Sequence, residues 1–78
     1  MARYGKKTSL SPSEVIEEAV KFFEKKWGLK IVEKSHEMVC FESELGHITI
    51  TACQNDETDV DLETREFDYA VKEFMTKI

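Results

Sequence analysis

Apolar and polar side chains alternate through the middle of the chain. Val39, Phe41 and Ser43 alternate with Cys40, Glu42 and Glu44; Ile48, Ile50 and Ala52 with Thr49, Thr51 and Cys53; Val60 and Leu62 with Asp59, Asp61 and Glu63. Successive residues of a strand face opposite sides, so this pattern predicts a sheet with one apolar face. Joining apolar to apolar sets Phe41 opposite Ile50, Val39 opposite Ala52, Val60 opposite Ala52 and Leu62 opposite Ile50. Gly46 is placed in the first turn to take positive φ. Asn55 and Asp56 suit the second turn, where their side chains bond the local backbone. Leu29 to Lys34 reads as an earlier strand, with Leu29 opposite Phe41 and Ile31 opposite Val39.

A 3–4 spacing replaces the alternation on either side of the sheet. Ser11-Pro12-Ser13-Glu14 is a helix start, with Ser11 as cap, Pro12 at the first helical position and Glu14 closing a capping box. Leu10 and Val15 form its hydrophobic staple. Ile16, Ala19, Val20, Phe23 and Trp27 make the apolar stripe, widened by Phe22, and Gly28 is the stop. Phe67, Ala70, Val71, Phe74, Met75 and Ile78 repeat the pattern in a second helix, capped by Thr64 or a neighbour. Residues 1–9 read as a flexible tail and 10–78 as a single domain. The expected order is α-β-β-β-β-α: an α+β two-layer sandwich, four antiparallel strands with two helices on one face.

Over residues 11–78 this order resembles small prokaryotic domains related to the half-domain of TATA-binding protein. The resemblance lies in element order and length. It implies that fold and transfers no functional residue.

With 78 residues there is room for one domain and a modest core. Hydrophobic content of 41% with 35% charged residues suits a soluble globular chain. No apolar run approaches the ~20 residues that cross a bilayer, so no membrane role is expected. The basic start, Met1 to Lys7, has no apolar segment after it, which excludes a signal peptide; with two cysteines this points to reduced thiols in a cytoplasm. The net charge of −5 argues against nucleic acid as partner.

The polar face of the sheet carries what chemistry there is. Lys30, Val32, Lys34, Met38, Cys40, Glu42, Thr49, Thr51, Cys53, Asp59, Asp61 and Glu63 share it in this reading. Lys30 and Lys34 form a basic edge, the acids an opposite edge, and Val32, Met38 and Cys53 a small apolar patch. His36, Cys40, His47 and Cys53 do not converge on a zinc site, because His36 and Cys40 are ~13 Å apart on a strand. Cys40 and Cys53 are diagonal neighbours at ~7 Å, too far for an unstrained disulfide. Asp59 and Asp61 are spaced for loose coordination of a hard cation at best. No catalytic constellation, phosphate loop, metal site or cofactor motif is present. The expectation is a non-enzymatic module that binds another protein or a second copy of itself through this face or an edge strand. The alternative is a small ligand held between helices and sheet, and a distant third is a metal-assisted enzyme on the acidic stripe.

Overall fold

In the computed structural model, which describes residues 2–78, the chain begins with a strand, β1 (Ala2–Thr8). Helix α1 (Pro12–Ala19) follows and continues as a π-helical segment (Val20–Lys26). Then come β2 (Lys30–Lys34), β3 (Met38–Glu42), β4 (His47–Gln54), β5 (Thr58–Arg65) and helix α2 (Asp68–Met75). All five strands form one antiparallel sheet in the order β1-β5-β4-β3-β2.

The class is α+β with one antiparallel sheet and two helices, but the sheet has five strands, not four, and the order is β-α-β-β-β-β-α. The difference is β1, which the sequence reading assigned to a flexible tail over residues 1–9; Met1 lies outside the described residues. Ala2, Tyr4, Lys6 and Thr8 turn toward the helices, and Arg3, Gly5 and Lys7 toward the open face. Only Tyr4 and Thr8 are good strand formers, and Gly5 weakens a strand interior. Contacts distant in sequence hold it: the Tyr4 hydroxyl donates to Asp68 at 2.6 Å, and the Lys6 ammonium donates to the Met75 carbonyl. Lys6 thereby puts its stem on the core side and its charge at the negative end of α2.

The capping box forms as expected. The Ser11 hydroxyl accepts from the Glu14 N–H at 3.3 Å, and the Glu14 carboxylate accepts from the Ser11 N–H at 2.9 Å. Past Ala19 the helix widens. The Trp27 N–H reaches the Phe22 carbonyl and the Leu29 N–H reaches that of Phe23, five and six residues back. Phe22 and Phe23 both bury, while Trp27, expected in the stripe, is 39% exposed. The α-helical period no longer holds there, so the stripe extrapolated from it misplaces Trp27. Gly28 stops the helix at φ 71°.

Two registers differ from expectation. Phe41 pairs with Ile48 and Val39 with Ile50, two residues from the expected pairing. Both registers keep the same faces, so burial does not separate them. The turn does: Ser43 N–H donates to Gly46 O at 3.0 Å and Glu42 pairs with His47. Gly46 lacks the expected positive φ. It is required for room, since a Cβ there would overlap the Arg65 carbonyl. In β2, Ile31 rather than Leu29 pairs with Phe41, and a bulge at Val32 sets Glu33 opposite Cys40 and Lys34 opposite Val39.

Helices and sheet enclose one core. Phe23, Phe41 and Phe74 are buried, with the Phe23 ring centroid 5.3 Å from that of Phe41 and 5.2 Å from that of Phe74. Three threonines also bury. Thr58 donates to the Leu10 carbonyl, and Thr64 donates to His47 O while accepting the Phe67 N–H at 3.3 Å. Thr64 thus caps the turn before α2 rather than the helix itself, which starts without a side-chain cap.

Candidate functional site: the open sheet face

The helices cover one face of the sheet, and the pairing registers define the other as four rungs. Lys30, Glu42, His47 and Arg65 form the first. Glu33, Cys40, Thr49, Glu63 and Arg3 form the second. Met38, Thr51, Asp61 and Gly5 form the third, and Cys53, Asp59 and Lys7 the fourth. Adjacent strands lie about 4.8 Å apart and successive rungs about 6.7 Å, so each rung is a row of touching neighbours.

Of the residues expected on this face, Lys30, Met38, Cys40, Glu42, Thr49, Thr51, Cys53, Asp59, Asp61 and Glu63 lie there. Lys34 does not: the bulge turns it to the helix side opposite Val39, and Glu33 takes its place. Val32 stands at the bulge itself, 48% exposed and away from Cys53, so Val32, Met38 and Cys53 do not form one patch. The expected basic edge on β2 is therefore mixed, Lys30 with Glu33. The basic edge lies at the other side, on β1, with Arg3 and Lys7. Sequence reasoning missed Arg3, Lys7, Glu33, His47 and Arg65 on this face. No pattern in the sequence announces the first two: the alternation of burial through Ala2–Thr8 arises only in the folded chain.

Charge on the face is arranged in columns. β5 carries Asp59, Asp61 and Glu63, and β1 beside it carries Arg3 and Lys7. The Arg3 guanidinium meets Asp61 through two bonds, Nε to Oδ1 at 3.1 Å and Nη2 to Oδ2 at 3.0 Å. This hydrogen bonding, with the Asp61 charge, raises the arginine pKa further above its ordinary value. On the inner side His47 Nε2 lies 3.8 Å from Glu63, and from the β4–β5 turn Asn55 donates to Asp59 at 2.8 Å. The acidic column is thus partnered from both sides.

The middle of the face is uncharged. Thr49, Thr51 and Cys53 on β4 and Met38 and Cys40 on β3 hold it, with the Cys40 sulfur 3.3 Å from the Thr49 hydroxyl and 3.7 Å from the Met38 sulfur. Beside it the face is hollowed where Gly5 lacks a side chain. This depression of about 530 Å³ is lined by Gly5, Lys7, Thr51, Cys53, Asp59 and Asp61 among others. Both cysteines are free. Cys40 pairs with Thr49, four residues from Cys53 on β4, so the two thiols are farther apart than the expected diagonal. Among the described residues no group of three His, Cys, Asp or Glu side chains is placed to hold a metal ion.

A second concavity lies on the opposite layer. Phe22 on the π-helical segment and Phe74 on α2 floor a groove of about 220 Å³, rimmed by Glu18, Lys21, Lys26 and Lys77. Lys26 pairs with Glu73 at 3.1 Å and sits 5.0 Å over the Phe22 ring. No helix among the described residues is long and apolar enough to cross a membrane.

No protein-family model, no curated protein and no solved structure matches this chain.

Proposed function

We propose that the chain is a non-enzymatic protein-interaction module and that the open sheet face is its binding surface. The observation that carries this is the uncharged centre of Met38, Cys40, Thr49, Thr51 and Cys53, ringed by Arg3, Lys7, Lys30, Glu33, Glu42, Arg65 and the β5 acids. Depletion of charge at the middle with a polar rim is the anatomy of a protein interface. A merely solvated face needs no such segregation. The acidic column and the net charge of −5 speak against nucleic acid, and the reading places the module in a cytoplasm. The likeness to the TATA-binding-protein half-domain rests on element order and lends no residue to this proposal.

Cys53 supplies the test, because it is exposed on this face. Alkylation of Cys53, read by mass spectrometry, slows as the face is covered. A rate that falls with rising protein concentration, and that does not fall in Thr51→Asp, supports the reading. An unchanged rate while light scattering reports assembly puts the interface elsewhere.

A second reading is a small ligand with an apolar body and an anionic head in the groove between the helices. It is favoured by the three lysines around Phe22 and Phe74, and by the π-helical turn beneath them, a departure often found at functional sites. Medium-chain carboxylates then raise the melting temperature, and Lys77→Ala reduces that rise. No shift with any of them retires the groove.

A further inference from the structure

We infer that the partner of the open face is a second copy of this chain, docked face to face about a twofold axis running along β4. This rests on the proposed role of the face. What selects the copy and the axis is the pattern of charge across the rungs.

A twofold axis in the plane of two stacked sheets can lie across the strands or along them. An axis across the strands lays each strand on its own equivalent. Asp59, Asp61 and Glu63 then face the same three acids, and Arg3 and Lys7 face the same two bases. Like charges set opposite one another in a desolvated interface cost several kcal/mol, so that arrangement is rejected. An axis along β4 lays β4 on β4, β5 on β3 and β1 on β2, with each rung meeting its own rung. Arg65 then meets Glu42 of the second copy, and Arg3 meets Glu33. Glu63 meets uncharged Cys40, and Asp61 meets uncharged Met38. Among these paired positions no carboxylate faces a carboxylate and no arginine or lysine faces another, and His47, Thr49, Thr51 and Cys53 sit at the axis. Aligned sheets cross at about 30°, a displacement that the long arginine side chains span.

Edge pairing fits less well. Two β1 strands would bring Arg3, Lys6 and Lys7 against one another, and β2 is interrupted by its bulge. The area is also consistent with a weak dimer. Five strands about 4.8 Å apart and some seven residues long present roughly 600 Å² per copy, or ~1,200 Å² in all, the lower bound of specific interfaces. Area does not set affinity, and a weak dimer, with a dissociation constant of roughly micromolar order, is the working expectation.

The experiment is a charge swap read by light scattering or sedimentation, with circular dichroism to confirm folding; both positions are exposed. Arg65→Glu opposes two glutamates in each of two symmetric contacts, and Glu42→Arg opposes two arginines. Each variant alone weakens the dimer about tenfold or more. Mixed in equal amounts, the two variants complement one another and the dimer returns. A wild-type chain that stays monomeric to about 1 mM overturns the inference while leaving the face open to a different protein. A dimer that survives Thr51→Asp overturns both this inference and the use of the face. A dimer lost in Thr51→Asp but not restored by mixing the charge variants overturns the axis alone.

Discussion

The glycines show how unlike the demands on one residue type are. Gly46 stands where the β3–β4 turn passes the end of β5, and a methyl group there would collide with the Arg65 carbonyl, a backbone atom that cannot swing aside. Gly46→Ala is expected to cost about 2–4 kcal/mol in chemical denaturation. Gly5 has only the Val60 carbonyl within reach, at 3.8 Å, an ordinary contact. Gly5→Ala is therefore expected to change stability by less than about 1 kcal/mol, and to stabilise if anything. Glu14 adds a pH dependence at the same scale. Hydrogen bonding from the Ser11 backbone N–H, and secondarily from its side chain, holds the Glu14 carboxyl below its ordinary pKa. A lowered pKa stabilises the fold fully above the unfolded value, and the contribution fades as pH falls through the folded one. Glu14→Gln, which keeps an acceptor without the charge, is expected to flatten the acid limb of stability over that window.

Strands β3, β4 and β5 and both helices are legible in the sequence because each carries its own period and its own punctuation. The Ser11 to Glu14 box and Gly28 mark ends that the structure retains. What is not legible depends on contacts between distant segments. β1 has no hydrophobic alternation of its own and exists because β5 offers it an edge and α2 offers partners to Tyr4 and Lys6. The two-residue offset between β3 and β4 preserves every face, so the tight turn from Ser43 to Gly46 and the close approach of Gly46 to β5 decide it. The β2 bulge exchanges Lys34 for Glu33 on the open face, and no pattern within five residues announces it. The π-helical segment has the same origin, since one turn of wider winding seats both Phe22 and Phe23. π-helical winding is rare and is mostly confined to single turns, the mark of a less favourable helix. Amide exchange across Val20–Lys26 is expected to be faster than across the later turns of Pro12–Ala19. Equal protection through both would show that the wider turns cost nothing in local stability.

At the scale of the molecule, one face of a five-stranded sheet is covered by helices and the other is uncovered. A chain of 78 residues has little stability to spare, since its small core is set against the ordering of the whole backbone. Association through the open face would therefore be felt in folding itself. A species that dimerises only when folded gains stability by mass action, so its melting temperature depends on protein concentration. For a dimer with micromolar affinity, raising the protein from well below to well above the dissociation constant is expected to raise the melting temperature by several degrees, given about 4–8 °C per kcal/mol for a domain this size. Added salt is expected to reduce that concentration dependence, because the Arg65–Glu42 and Arg3–Glu33 contacts lie at the rim where counterions screen them. Thr51→Asp is expected to abolish the dependence and to lower the melting temperature of the dilute protein by about a few degrees, because the new carboxylate stands opposite Asp61 on the central strand. A melting temperature independent of concentration in the wild-type chain contradicts a folded-state dimer in that range. A dependence that persists in Thr51→Asp would assign the association to a surface other than the sheet face.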